Sequence, residues 1–97
     1  MGQTIAEKII ATAAGRHEVV PGEVVTCKVD LAMIHDSGGP RRVKPVMDKL
    51  DVKVWDPTKI VLVSDHFAPC TDAESANILM LTREWASDQG IINFYDQ

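Results

Sequence analysis

The stretch that decides the fold is "KIVLVSDHFAPC", residues 59–70. Ile60, Val61, Leu62 and Val63 form an unbroken run of apolar β-formers. An unbroken run, unlike strict alternation, is the pattern of a strand covered on both faces, as in a parallel sheet. The run stops abruptly at Ser64-Asp65-His66. An acid beside an imidazole at a strand end has two readings. In the first, the chain simply reaches water, and the dipeptide alone favours that. In the second, the strand delivers a proton-transfer pair, because a carboxylate fixes the tautomer of a neighbouring imidazole and raises its basicity. Successive strand residues point to opposite faces, so a direct Asp65–His66 contact requires a turn here.

Downstream, "TDAESANILMLTREWASDQG" (71–90) predicts a helix. Thr71 and Glu74 have the spacing of a capping box, Ile78, Leu81 and Trp85 line one face, and Gly90 ends it. "IINFYD" (91–96) then begins a third strand. Upstream, "PRRVKPVMDKL" (40–50) keeps Val43, Val46, Met47 and Leu50 at helical spacing. Pro40 suits a first-turn position, whereas Pro45 removes a backbone donor and is expected to kink or shorten the helix. "EVVTCKVDLAMI" (23–34) reads as an extended segment or strand, and Pro21-Gly22 marks a turn before it. The chain opens with a helix over about 4–14, where Thr4 and Glu7 form a second capping-box pair. Ile5, Ile9, Ile10 and Ala13 share one side of that helix, and Gly15 suits its left-handed end.

This alternation of helices and strands predicts an α/β fold with a mostly parallel sheet, residues 1–97 forming a single segment. Ligands of such sheets lie beyond the carboxyl ends of the strands. The loops "HDSGGP" (35–40) and "SDHFAPC" (64–70) both follow strand-like runs, so they are expected to share one edge. His35-Asp36 repeats the imidazole–acid pairing in the first of them. Gly38 and Gly39 allow close backbone approach there, and the N–H groups of the following helix can bind an anion. An ordinary turn plus helix start accounts for the same residues.

Charge narrows the function classes. The net charge is −4 and the basic residues are scattered, which argues against nucleic acid, because phosphate neutralisation supplies most of that affinity. No apolar run approaches the ~20 residues that cross a bilayer, so no membrane partner is expected and the cytoplasm is the expected location. Cys27 and Cys70 match neither a disulfide framework nor a metal motif. His66 and Cys70 are too few for a metal site, and none is expected. His17 reads as a surface residue, and Trp55 and Trp85 as core or interface aromatics.

The residues in order, "TIAEKIIATAAGR…VVPGEVVTCKVDLAMIHDSGGP…VWDPTKIVLVSDHFAPC…REWASDQGIINFYD", resemble the start of the aconitase-family large subunit. The isopropylmalate dehydratase and homoaconitase branch is the most similar. The resemblance implies part of an aconitase-type iron–sulfur domain and a hydro-lyase acting on a hydroxy di- or tricarboxylic acid. It implies that Asp65 and His66 are the pair that protonates the departing hydroxyl. His35 matches a substrate-contact position, with Ser37 beside it in the same loop. The family commonly has Thr where Gly38 stands.

A [4Fe-4S] cluster is implied for the parent enzyme, with its cysteines further along the family sequence. Neither Cys27 nor Cys70 matches a cluster ligand, so these residues alone are expected to bind no cluster and to be inactive. The implied partners are the rest of the large subunit, a small (swivel) subunit and a small hydroxy-acid substrate. The alternative is a non-catalytic interaction or regulatory subunit that keeps the fold without the cluster. A receiver-type signalling module is disfavoured, since its acidic pair and its lysine have no counterpart here.

Overall fold

The computed structural model describes residues 2–96, in two compact units that divide between Asp30 and Leu31.

The first unit begins with helix α1, Ile5–Ala13. Its start is the predicted capping box: Thr4 Oγ1 accepts from the Glu7 N–H, and Glu7 Oε2 accepts from the Thr4 N–H at 2.6 Å. The bond from the Thr4 backbone is the main reason the Glu7 carboxyl lies below its usual pKa. The apolar stripe expected to face a core is instead exposed: Ile5, Ile9 and Ile10 are 78%, 64% and 40% accessible. The buried residue of this helix is Ala11. The predicted turn forms at Val20–Glu23, closed by the Glu23 N–H to the Val20 carbonyl at 3.2 Å. Gly22 has φ +87°, the left-handed value that position i+2 of a type II turn needs. Arg16 pairs with Glu23 across the turn.

Residues 23–31 form no strand and bend at Asp30, so the strand expected over 23–34 begins only at Ala32. Here Val24 is 97% exposed. β-branched composition sets local backbone preference, but a ladder needs a neighbour.

The second unit contains strand β1 (Ala32–His35), helix α2 (Pro40–Leu50), a 3₁₀ turn (Pro57–Lys59), strand β2 (Ile60–Val63), helix α3 (Ala73–Gln89) and strand β3 (Phe94–Tyr95). The sheet order is β1-β2-β3 and both pairings are parallel. Each neighbouring pair is thus joined by a helical crossover, as parallel strands require. Leu62 is fully buried, and Trp85, Ala86 and Ile91 close over it with Ile34, Val43, Met47 and Phe94 packed around.

Four local expectations are corrected. Helix α2 runs through Pro45 to Leu50 without being cut short, because Val43 and Met47 on either side of the proline are held against the core. The cap of α3 is Asp72, whose carboxylate accepts from the Ser75 N–H at 2.7 Å, and not Thr71 with Glu74. Strand β3 is only Phe94–Tyr95, since Ile91 serves the core instead of the ladder. Of the two readings for Trp55, the core is excluded, since the residue is 68% exposed, with the Lys59 ammonium 4.9 Å from its ring centre. Burial of β2 is also uneven. The face of Leu62 is sealed, while Val61 and Val63 are half-buried and Met33 beside them is 64% exposed.

Candidate functional site

The site follows from the register. His35 lies opposite Val63, so the two polar loops leave the sheet side by side. Pairing continues one residue past β1, where the Asp36 N–H donates to the Val63 carbonyl at 3.1 Å. On the other side the Ser64 N–H donates to the Tyr95 carbonyl at 2.9 Å. The expectation that the two loops share an edge is met, and both lie at the carboxyl ends of parallel strands.

The loop "HDSGGP" is tight for a steric reason. A Cβ on Gly39 would lie 2.4 Å from the His35 carbonyl oxygen, so only glycine fits. Helix α2 starts directly at Pro40 with no side-chain cap. Arg41, in its first turn, donates Nε–H to the Ser37 carbonyl at 2.9 Å and stacks its guanidinium 5.3 Å from the Phe67 ring centre. It therefore touches both loops.

After β2 the chain turns, and the direct pair forms. His66 Nδ1 lies 2.6 Å from Asp65 Oδ1. The His35 and His66 rings stack with centres 4.3 Å apart and planes 19° from parallel. His35 Nδ1 is 2.8 Å from Ser37 Oγ and receives the Gly38 N–H at 3.3 Å.

These contacts assign the tautomers. An amide N–H can only donate, so His35 Nδ1 is an acceptor and the proton of its neutral ring is on Nε2. His66 Nδ1 faces a carboxylate, so it carries a proton, and its Nε2 accepts in the neutral ring and donates in the cation. Two stacked imidazoles thus present unlike Nε2 atoms, one fixed as donor and one switchable.

Electrostatics supports the switch. The hydrogen bond His66 donates to Asp65 raises the His66 pKa above the usual histidine value, partial desolvation opposes it, and the charges of Asp65 and Asp36 add to the rise. The same bond holds the Asp65 carboxyl below the usual aspartate value. Both side chains are about half-exposed, 49% and 53%.

Asp36 is the residue that sequence reasoning left in the background. It is fully buried. Its two carboxylate oxygens accept from the backbone N–H groups of His66, at 3.1 Å, and Phe67, at 3.0 Å. Its place directly after a β-strand and before Ser-Gly-Gly was the available signal. Arg41 was missed as well, and nothing in its spacing marks it.

Ligand atoms of His35, Asp36, Asp65 and His66 lie within 4.8 Å of one another. That donor set is imidazole and carboxylate, whereas an iron–sulfur cluster is held mainly by thiolates. Cys27 and Cys70 fall in different units, and neither joins the group. These residues therefore do not fit as cluster ligands. No helix among the described residues is long and apolar enough to cross a membrane.

No family model matches the chain. Among curated proteins it is similar to the 3-isopropylmalate dehydratase large subunit of a Sulfurihydrogenibium species, 48% identical over 97 residues, covering 99% of this chain and 22% of the relative. It is 43% identical over 96 residues to the probable 3-isopropylmalate dehydratase large subunit of Methanothermobacter thermautotrophicus, covering 99% of this chain and 23% of that protein. The probable methanogen homoaconitase large subunit of the same organism is 42% identical over 95 residues, covering 94% of this chain and 22% of the relative. The chain therefore spans less than a quarter of the length of the relatives it matches.

Proposed function

From the premise that this chain belongs to the 3-isopropylmalate dehydratase and homoaconitase large-subunit branch of the aconitase family, we propose that it supplies the proton donor and part of the substrate seat of a hydro-lyase. The substrate class is a hydroxy di- or tricarboxylic acid of the isopropylmalate type. One observation carries this reading: the stacked pair of imidazoles, of which only His66 is bonded to a carboxylate.

Dehydration breaks a C–O bond, and hydroxide is a poor leaving group. In its cationic form His66 places a proton on Nε2, and transfers it to the oxygen as the bond breaks. Water leaves and the ring becomes neutral. Asp65 stabilises the cation beforehand and keeps Nδ1 protonated throughout. In the hydration direction neutral His66 takes a proton from the attacking water. The His35 Nε2–H is a fixed donor suited to a substrate carboxylate or hydroxyl oxygen. Ser37 donates its hydroxyl to His35 Nδ1, which reinforces that tautomer and secures His35 for substrate contact. The group that removes the carbon-bound proton is assigned to the rest of the protein, as is ligation of the [4Fe-4S] cluster. The 97 residues alone are accordingly proposed to be inactive.

The proposed partners are the remainder of the large subunit and a small subunit, working in the cytoplasm. The half-open sheet face around Met33, Val61 and Val63 supports this, because parallel sheets are normally covered on both sides.

The test is steady-state kinetics of the complete protein with its small subunit. Removing a positioned proton donor costs typically ~10²–10⁴-fold in rate. His66→Ala is expected to lower kcat on that scale with little change in KM. A loss confined to KM would reject the donor role.

A further inference from the structure

We propose that Asp36 is the positioning residue of His66, the buried group that forces Asp65 and His66 onto the same side of the chain. The catalytic consequence rests on the reading above, but the structural claim does not.

Neighbours in an extended chain point apart, so the Asp65–His66 contact at 2.6 Å needs something to hold the turn. Asp36 holds it. Consecutive N–H groups, those of His66 and Phe67, converge on one carboxylate that is fully buried and comes from the other loop, 30 and 31 residues away. A charged acceptor makes stronger hydrogen bonds than a neutral one, and in a buried position it has no water to exchange them for. Asp36 is itself fixed, since its own N–H continues the ladder to Val63.

The Asp36 carboxylate also approaches the imidazole, with Oδ1 3.6 Å from His66 Nδ1. The titratable groups around His66 are then Asp65 on its own loop and Asp36 and His35 from the other. Asp65 makes the direct bond. Asp36 sets where that bond can form and adds a second negative charge on the same nitrogen. A residue that was only a structural brace would stabilise the loop without altering how His66 titrates.

Two measurements on this chain test the proposal, and neither involves turnover. In the unaltered chain the His66 and Phe67 amides should resist hydrogen exchange although the His66 side chain is half-exposed. Exchange at the rate of free amides would overturn the proposal whether or not any variant folds. In Asp36→Asn, one oxygen acceptor and the charge are lost. Exchange of both amides should speed up by about tenfold or more. The NMR titration midpoint of the His66 ring should fall. An unchanged His66 midpoint in a folded Asp36→Asn chain would overturn the positioning role. If these results hold while His66→Ala leaves kcat intact in the complete enzyme, the dehydratase reading fails and the assignment of Asp36 stands.

Discussion

The two strand-end loops carry the same two residue types in opposite order, and the order divides their work. After β1 the imidazole comes first and the acid second. His35 is still on the strand, and Asp36 takes the next ladder position and turns into the protein. After β2 the acid comes first, beyond Ser64, and both Asp65 and His66 remain about half-exposed. One aspartate thus binds backbone and the other binds a side chain. The identity of a carboxylate says little about its role, whereas its distance past the end of the strand says a great deal.

The sharpest way to break that contrast is to truncate each acid in turn. Asp36→Ala leaves two backbone donors without their charged acceptor, and a loss of about 3 kcal/mol in unfolding free energy is expected from denaturant titration. Asp65→Ala removes only a half-exposed partner and should leave the denaturation midpoint nearly unchanged. Equal losses would dissolve the distinction. Gly39→Ala probes the first loop alone, because its Cβ has to displace the His35 carbonyl. Overpacking of that kind costs about 1–3 kcal/mol, and a neutral result would mean the loop is looser than described.

A smaller effect is expected from Asp65→Asn, read as stability against pH. The raised pKa of His66 gives stabilisation that is complete below the ordinary histidine value, about 6.5, and lost as pH rises through the folded value. The lowered pKa of Asp65 gives stabilisation present above about 3.9 and lost as pH falls through its folded value. The difference between the parent chain and Asp65→Asn should therefore be largest between those two limits and shrink on either side. A difference that grew above pH 8 would contradict the pairing.

Much of this was legible in the residues. The four-residue apolar run, the crossover helices and the polar ends fixed the parallel sheet, and a parallel sheet brings consecutive strand ends together. His35, Ser37, Asp65 and His66 were accessible by that route and by family resemblance. Asp36 was visible as a residue but not as a brace, because its partners are backbone N–H groups 30 residues away, which side-chain patterns do not encode. The apolar stripe of α1 shows the opposite failure. Ile5 and Ile9 have the spacing of a buried face and are exposed, since periodicity says which residues share a side and not whether anything covers it. At the start of α3 the two candidate caps, Thr71 and Asp72, are adjacent, and local geometry selected the aspartate.

The central claim is that the two loops act as one site. A double-mutant cycle on kcat/KM of the complete enzyme, with His35→Ala, His66→Ala and both together, tests it most directly. Rings stacked at 4.3 Å and proposed to face one substrate should be coupled, so the double variant is expected to depart from additivity by more than about 0.5 kcal/mol. Additive losses would contradict the account, making the two histidines independent neighbours at a shared edge.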